Sequence, residues 1–183
     1  MRTLILGKEN QITQYLLKPL AISLALAISA QLNVLTVPVP ITLQPLVLLF
    51  IGLMCSPQTA VFSVSYYLIE IAVGLPFASG FSSGLAALLS PRAGYFIGFL
   101  ASVYVSAKLL SYKRNFLMMW MSAIAGTTVL YFCGITWLSS LFGLEKALAV
   151  GLYPFMSEIP AFLTIAVVVS YQAEIILSAK KKS

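Results

Sequence analysis

Long apolar runs alternate with short polar segments along this chain. From Pro19 to Ile69 the sequence contains no Asp, Glu, Lys, Arg or His, and the same is true from Asn115 to Leu144. A helix that crosses the hydrocarbon layer of a membrane needs roughly 20 apolar residues. The second run is therefore long enough for one crossing, and the first is long enough for two or three. The pattern predicts an integral membrane protein built from helices.

Proline and glycine divide these runs into six segments, so we predict an all-α protein with six transmembrane helices. We expect one transmembrane domain, residues 1–183, with both termini in the cytoplasm. The predicted spans are 17–32, 43–55, 58–73, 94–110, 116–138 and 159–177.

The sequence VPVPIT, Val37–Thr42, cannot be helical throughout, because proline lacks an amide donor and restricts the residue before it. Irregular backbone at membrane depth is tolerated only where protein buries it or where it lines a cavity. We therefore predict that this segment forms a cavity wall.

The composition supports a membrane protein: 60% of the 183 residues are hydrophobic, 9% are charged, and the mean hydropathy is +0.98. A soluble domain contains roughly 25% charged residues. The N-terminal 19 residues are interrupted by charges and do not form a signal peptide; we predict an amphipathic segment on the cytoplasmic face.

The lysines and arginines predict the orientation, because these residues collect in cytoplasmic loops. Nine of them fall on the predicted cytoplasmic side: Arg2, Lys8, Lys18, Lys108, Lys113, Arg114, Lys180, Lys181 and Lys182. Arg92 and Lys146 fall on the outer side. The net charge of +6 is therefore interpreted as a topology signal and a contact with the lipid bilayer, with no nucleic-acid partner. Three polar, proline-containing segments then converge outside: 33–44, 75–93 and 139–158.

The sequence argues against an enzyme. It has no histidine and no GxxxxGK[ST] phosphate-binding loop, and its five acidic residues are dispersed. We predict neither a cofactor nor a metal site. Cys55 and Cys133 lie in or beside apolar segments and are interpreted as packing residues. If this chain moves a solute uphill, the energy comes from an ion gradient or from another subunit.

Small residues recur at intervals of four in two predicted spans, which places them along one helix face. In the first span they are Ala21, Ala25 and Ser29, for which docking of a partner and packing within the chain are both open. In the fourth span the series Gly94, Gly98, Ser102 and Ser106 favours packing within the chain.

Two carboxylates fall within predicted spans, where ionisable residues are functional candidates. Glu174 lies close to the lysine-rich tail and is interpreted as an interfacial residue. Glu70 lies beside Tyr66 and Tyr67, just before the glycine- and serine-rich segment. Contact with a ligand and hydrogen bonding to that segment are both open for Glu70.

Three motifs resemble the BioY family: PVPITLQ (Pro38–Gln44), GLPFASG (Gly74–Gly80) and GLAALLSPRAGYFIGF (Gly84–Phe99). BioY proteins are the biotin-binding S components of energy-coupling factor (ECF) transporters. The resemblance implies an S-component-like bundle in the bacterial cytoplasmic (inner) membrane, with biotin bound at the outer side. It also implies partners, a transmembrane coupling subunit and a pair of ATPases, and it assigns the small residues of the first helix, Ala21, Ala25 and Ser29, to docking. Some members of the family are reported to act without partners.

The same resemblance leads to a set of candidate substrate-binding residues. Glu158 would accept hydrogen bonds from the ureido ring and Arg92 would bind the carboxylate, although a headgroup anchor is the alternative for Arg92. The others would supply stacking, backbone approach or hydrogen bonds: Thr42, Gln44, Tyr67, Glu70, Ser79, Gly80, Gly84 and Tyr95. A place in the aromatic belt of the membrane interface is the alternative for the two tyrosines, and hydrogen bonding to loop backbone is the alternative for Thr42 and Gln44. The segment YPFMSEIPAFLT departs from the family pattern, because Glu158 replaces the usual aspartate and the following lysine is missing.

Two other functions stay open from the sequence. One is transport of another small carboxylated vitamin such as lipoate, by an ECF-type or a solitary carrier. The other is a small membrane enzyme or scaffold. In the leading interpretation, the glycine- and serine-rich segment forms a pliable lid over a mainly apolar pocket.

Overall fold

Proline, serine, asparagine and glycine set the helix ends of this chain. In the computed structural model, which describes residues 13–34 and 38–180, Ser56 caps the third helix by accepting a hydrogen bond from the amide of Thr59 at 3.2 Å. Asn115 caps the sixth helix in the same way, at 2.8 Å from the amide of Met118. Gly143, with a φ of +80°, ends that helix in a conformation that disfavours other residues.

Eight α-helices form in the described part of the chain. They are α1 (Lys18–Gln31), α2 (Gln44–Met54), α3 (Pro57–Ala72), α4 (Gly84–Leu88), α5 (Ala93–Tyr112), α6 (Phe116–Phe142), α7 (Leu144–Gly151) and α8 (Glu158–Lys180). A π-helical turn, Thr13–Leu17, precedes α1, and two 3₁₀ turns occur at Ser79–Phe81 and Tyr153–Phe155. The strands β1 (Asn33–Val34) and β2 (Ile41–Thr42) pair antiparallel, with Asn33 opposite Thr42.

Six of these helices occupy the positions of the six predicted spans, with ends that differ by at most four residues. Within the described residues, α5, α6 and α8 are long and apolar enough to cross a membrane, while α1 and α2 are shorter apolar helices. The short helices α4 and α7 were not predicted. They lie in the segments read as connections, where five to eight residues are too few for a clear periodic pattern. The predicted N-terminal amphipathic segment lies outside the described residues, apart from the turn before α1.

The antiparallel pair α5 and α6 forms the centre of the bundle. Gly94 lies against Trp137, Gly98 lies against Leu130, and the Ser106 hydroxyl donates to the Ser122 carbonyl at 2.9 Å. Residue numbers rise along α5 while the numbers of the α6 residues in contact with them fall, so the two helices are antiparallel. The small residues let the backbones approach closely, which confirms the prediction that this series packs within the chain.

The two ends of the bundle differ in chemistry. At the end where α5 begins, called the Arg92 end, lie the described parts of the connection 32–43 and the connections 73–92 and 143–157. At the opposite end, called the Arg114 end, Arg114 donates to Glu174 at 2.5 Å and to the carbonyl of Leu53 at 2.6 Å. Arg114 thus joins the C-terminal end of α2 to α8. Glu174, interpreted from the sequence as an interfacial residue, is part of this contact.

The glycine- and serine-rich segment is folded. The Ala78 amide donates to the Ser82 carbonyl at 3.1 Å, and Gly80 takes a φ of +70° between them. The Gln31 side chain at the end of α1 donates to the Ala78 carbonyl at 3.1 Å and accepts from the Phe81 amide at 3.2 Å. A single amide therefore joins α1 to the turn that faces the cavity described next.

Candidate ligand-binding site

A cavity opens at the Arg92 end of the bundle. It is a space of about 500 Å³ that includes open solvent. It is called the Arg92 cavity and lies between the start of α2, the first turns of α5 and the second half of α6. The lining residues are Val39, Pro40, Thr42, Gln44, Pro45, Ser79, Arg92, Tyr95, Phe96, Phe99, Leu130, Tyr131 and Phe155.

The described part of the segment predicted to form a cavity wall, residues 38–42, contributes to the cavity lining, while Val37 lies outside the described residues. Val39 and Pro40 line the cavity, and Val39 is 6% exposed. The short pairing of β1 with β2 positions this irregular backbone, since the strand ends at Thr42 just before α2 begins. Thr42 also lines the cavity, and its hydroxyl oxygen accepts from the Gln44 amide at 3.2 Å, which helps to satisfy the first turn of α2.

Aromatic side chains form most of the inner wall. Tyr95 and Tyr131 pack edge to face with ring centroids 6.3 Å apart, and Tyr131 lies 5.7 Å from Phe155. The Tyr95 hydroxyl donates to the Gly151 carbonyl at 2.6 Å, so it fixes the end of α7 against α5. The rings present flat apolar faces to the cavity, a surface suited to a compact ring system.

Arg92 is the charged residue among those that line the cavity. Its guanidinium donates to the Ser79 carbonyl at 3.4 Å, to the Ser82 hydroxyl at 3.1 Å and to the Ser90 hydroxyl at 3.4 Å. Partial burial lowers the pKa of Arg92 from its ordinary value, but an arginine stays protonated at neutral pH. The Arg92 guanidinium therefore presents a positive charge to the cavity, and its hydrogen bonds to the 79–90 segment hold it in place.

Ser79 adds an unsatisfied hydroxyl to the same wall. The residue is 7% exposed, and its Oγ has no hydrogen-bond partner within the described residues. A buried polar atom without a partner costs free energy, which a ligand with a complementary group would recover. Ser79 is therefore a candidate hydrogen-bonding group for a ligand.

A buried relay orients the Gln44 side chain. Gln44 Nε2 donates to the Tyr67 hydroxyl at 2.8 Å, and that hydroxyl donates to the Phe77 carbonyl at 3.2 Å. Because the amide nitrogen is held by Tyr67, the carbonyl oxygen of Gln44 points away from it and is available as an acceptor. Gln44 lines the cavity, whereas Tyr67, which is fully buried, lies behind it.

The structure thus brings together five of the ten predicted site residues: Thr42, Gln44, Ser79, Arg92 and Tyr95. It places the other five outside the cavity lining. Tyr67 supports Gln44 from behind, while Gly80 and Gly84 take φ values of +70° and +75° in the folded segment.

The two predicted carboxylates also lie away from the lining. Glu70 faces α1, where its Oε1 accepts from the Ser23 hydroxyl at 2.9 Å. Its backbone carbonyl accepts from the Leu75 amide at 3.0 Å, which connects Glu70 to the start of the glycine- and serine-rich segment. Glu158 begins α8 after the turn that contains Phe155, and its side chain is half-buried.

Sequence reasoning missed Tyr131 and Gln31. Tyr131 lies within the charge-free run of α6, where an aromatic residue is indistinguishable from a packing residue. Gln31 could have been singled out, because it is a polar residue at the end of an apolar helix. The segment that it contacts could not be identified, because that segment lies far along the chain. Phe155, which lies in the segment YPFMSEIPAFLT, was not among the predicted site residues, and it lies in the cavity wall.

The predicted docking series on α1 divides between two faces. Ala21 and Ala25 are exposed beside Leu24 and Ile28, which are 45% and 66% exposed. Ser29 is only 4% exposed, and its hydroxyl donates to the Leu26 carbonyl at 2.8 Å. Each step of four residues turns the helix by about 40° beyond a full turn, so Ser29 has rotated into the bundle. Ser29 therefore packs within the chain, whereas docking of a partner stays a prediction for Ala21 and Ala25.

The fold and the cavity define a small all-α integral membrane protein with a mainly apolar cavity at one end of its bundle. The chain matches the BioY family over residues 7–179 and belongs to that family. The resemblance stated from the three motifs is therefore confirmed.

Curated relatives cover most of this chain. A probable biotin transporter BioY from Pyrococcus horikoshii is 32% identical over 71% of this chain and 77% of its own length. A probable biotin transporter BioY from Rickettsia prowazekii is 31% identical over 87% of this chain and 81% of its own length. The biotin transporter BioY from Rhizobium etli is 33% identical over 68% of this chain and 71% of its own length.

A solved structure has the same fold. The S-component for biotin from an ECF-type ABC transporter superposes with a TM-score of 0.78 and covers 92% of this chain and 95% of its own, at 24% identity. The expected S-component-like bundle is thereby confirmed.

Proposed function

We propose that this chain binds biotin in the Arg92 cavity and carries it across the cytoplasmic membrane as the S component of an ECF transporter. The family supports transport as the activity, since its curated relatives are named biotin transporters. This agrees with the prediction that the chain is not an enzyme. The observation that carries the choice of ligand is an apolar cavity with one guanidinium at its edge.

The chemistry of biotin matches this cavity part by part. Biotin has a fused thioether ring, a ureido group with two N–H donors and one carbonyl, and a valerate carboxylate. The fused ring would pack among Tyr95, Phe99 and Tyr131, which line the inner wall. Most of the ligand surface is apolar, and so is most of the lining.

The polar ends of biotin find complementary groups at two places. Arg92 would bind the carboxylate through its planar fork, exchanging weak contacts of 3.1 to 3.4 Å with the 79–90 segment for a charge-assisted pair. The Gln44 carbonyl oxygen would accept from a ureido N–H. The unpaired Ser79 hydroxyl would donate to, or accept from, the same ligand. Glu158 and Glu70 are not needed for these contacts.

The partners of this proposal are a transmembrane coupling subunit and a pair of ATPases. The chain itself offers an exposed apolar face on α1, where Leu24 and Ile28 flank Ala21 and Ala25. Small residues between larger ones permit close approach of another helix in a membrane. In this arrangement the Arg92 end faces outward and the Arg114 end faces the cytoplasm of a bacterial cell, as the distribution of lysine and arginine indicates.

Titration of the purified protein with biotin tests the proposal. We expect saturable binding by the wild-type protein, competition by desthiobiotin and weaker competition by lipoate, which lacks the ureido ring. Arg92→Gln should lower the affinity at least tenfold. Lys146→Gln is the matched control, because Lys146 is a cation at the same end of the bundle but lies over the Phe142 ring, outside the cavity lining. A folded wild-type protein that ignores biotin would reject the proposal.

A further inference from the structure

The two tyrosines that line the Arg92 cavity differ in what their hydroxyl groups do. The Tyr95 hydroxyl donates to the Gly151 carbonyl at 2.6 Å, so it serves the fold. Tyr131 is only 7% exposed, yet its hydroxyl makes no hydrogen bond within the part of the chain that the structure describes. A buried tyrosine hydroxyl ordinarily has a partner, because leaving it unpaired is costly. Packing of the bundle therefore does not explain the Tyr131 hydroxyl.

The surroundings of Tyr131 fix its ring and leave its hydroxyl open. The ring packs edge to face on Tyr95, with centroids 6.3 Å apart, and lies 5.7 Å from the Phe155 ring. All three rings line the Arg92 cavity. Among the described residues the Ser79 hydroxyl oxygen is both unpaired and fully enclosed, whereas the unpaired Tyr131 oxygen is not fully enclosed. The Tyr131 hydroxyl therefore borders open space.

Tyr131 lies at a different depth from Arg92. On α5, Gly98 lies against Leu130, the residue next to Tyr131. Gly98 is six positions beyond Arg92 in the sequence, so the two levels are about 9 Å apart along α5, at ~1.5 Å per residue. A ligand whose carboxylate is bound by Arg92 therefore presents its opposite end towards Tyr131. In biotin that end is the ureido ring, which carries one carbonyl oxygen.

The ureido carbonyl accepts hydrogen bonds, and few groups in the cavity lining are free to donate one. Gln44 offers an acceptor, because its amide nitrogen already donates to the Tyr67 hydroxyl at 2.8 Å. Arg92 is occupied by the carboxylate in the proposed function. Ser79 lies at the same end as Arg92, whose guanidinium donates to the Ser79 carbonyl at 3.4 Å. The Thr42 hydroxyl accepts from the Gln44 amide at 3.2 Å and is the other available donor besides the tyrosine.

We propose that the Tyr131 hydroxyl donates a hydrogen bond to the ureido carbonyl oxygen of biotin and selects for oxygen at that position. The inference rests on the proposed function and adds a specificity-determining residue to it. The Tyr95 and Phe155 rings hold the Tyr131 ring in place, so little side-chain freedom is lost when its hydroxyl binds the ligand.

Comparison of biotin with thiobiotin tests this contact. In thiobiotin a sulfur atom replaces the ureido oxygen, and sulfur is a weak acceptor. Tyr131→Phe removes the hydroxyl and keeps the ring. Tyr95→Phe is the matched control, because it removes a hydroxyl of the same wall that is bound to the Gly151 carbonyl. Each variant is checked by size-exclusion chromatography and titrated with both ligands in detergent.

We expect the wild-type protein to bind biotin about tenfold more tightly than thiobiotin, and Y131F to bind the two within threefold of each other. Y95F should keep the wild-type preference. An unchanged preference in Y131F would overturn the inference. An equal loss of affinity for both ligands would also overturn it, because the hydroxyl would then serve the fold alone. If Y131F does not fold, Tyr131→Leu takes its place with the same expected preference and the same outcomes against it.

Thr42→Val tests the other donor. It should retain the preference for biotin, and loss of the preference in T42V but not in Y131F would assign the contact to Thr42 and overturn the inference. Equal binding of biotin and thiobiotin by the wild-type protein would also overturn it. Failure of the wild-type protein to bind either ligand would instead reject the proposed function.

Discussion

Gln44 and Tyr67 are joined by a buried hydrogen bond of 2.8 Å from the amide nitrogen of one to the hydroxyl of the other. Twenty-three positions separate them in the sequence, and both were predicted as ligand contacts. Only Gln44 reaches the cavity; Tyr67 holds it in one orientation and is itself anchored to the Phe77 carbonyl. The relation makes Tyr67 a positioning residue.

Tyr67→Phe tests this role. Loss of the hydroxyl leaves the Gln44 amide free to rotate and leaves its nitrogen unsatisfied, at a cost of about 1–3 kcal/mol to be divided between stability and binding. We expect biotin affinity to fall about tenfold in titrations. Tyr66→Phe is the control, since the Tyr66 hydroxyl donates to the Tyr15 carbonyl on the far side of α3. Equal affinity of Y67F and wild type would contradict the role.

Gln31 should control the order of the 77–82 turn. Gln31→Ala removes the bonds to the Ala78 carbonyl and the Phe81 amide, and no neighbouring side chain replaces them among the described residues. We expect faster hydrogen exchange in this turn, measured by mass spectrometry. Asn33→Ala, which loses a contact with the Ala30 carbonyl and none with the turn among the described residues, should leave the turn unchanged. Equal hydrogen exchange in Q31A and wild type would show that the turn is ordered without the Gln31 hydrogen bonds.

The contact between α5 and α6 should tolerate no side chain at Gly98. A Cβ there would lie 2.8 Å from the Leu130 carbonyl oxygen, which is backbone and cannot move aside cheaply. Gly98→Ala should therefore lower the free energy of unfolding by about 1–3 kcal/mol, seen as a lower Tm in detergent. Ile97→Ala, on the lipid-facing side of the same helix, is the comparison. A Tm for G98A at or above wild type would contradict this packing.

Arg114 and Glu174 should contribute unequally to stability. Their side chains are 31% and 28% exposed, so the ion pair itself is worth about 1 kcal/mol or less. Arg114 also satisfies the Leu53 carbonyl at the C-terminal end of α2, where a positive charge is favourable. We expect Arg114→Gln to lower the Tm more than Glu174→Gln, with small coupling in the double variant. The reverse order would show that the Leu53 contact contributes little.

The membrane class, the positions of the long helices and the cavity wall at Val39 and Pro40 could be predicted because hydropathy and proline act locally. The packing of the series from Gly94 to Ser106 within the chain could also be predicted, because a spacing of four residues places side chains on one helix face. The supporting role of Tyr67 could not be predicted: a tyrosine beside a polar segment has the same sequence pattern whether it touches a ligand or holds another side chain.

The placement of Ser29, Tyr131 and Gln31 depends on tertiary contacts. Ser29 shares its spacing with Ala21 and Ala25, but the offset of about 40° at each step of four residues places it inside the bundle. Tyr131 and Gln31 contact residues that lie far away in the sequence, and neither hydropathy nor motif spacing predicts those contacts.

Comparing biotin with its neutral amide tests the central claim most directly. If Arg92 pairs with the carboxylate in the cavity at its end of the bundle, wild-type protein should bind biotin at least tenfold more tightly than the amide, and Arg92→Gln should bind the two alike. Equal binding of biotin and its amide by the wild-type protein, or an unchanged preference in the variant, would contradict the account.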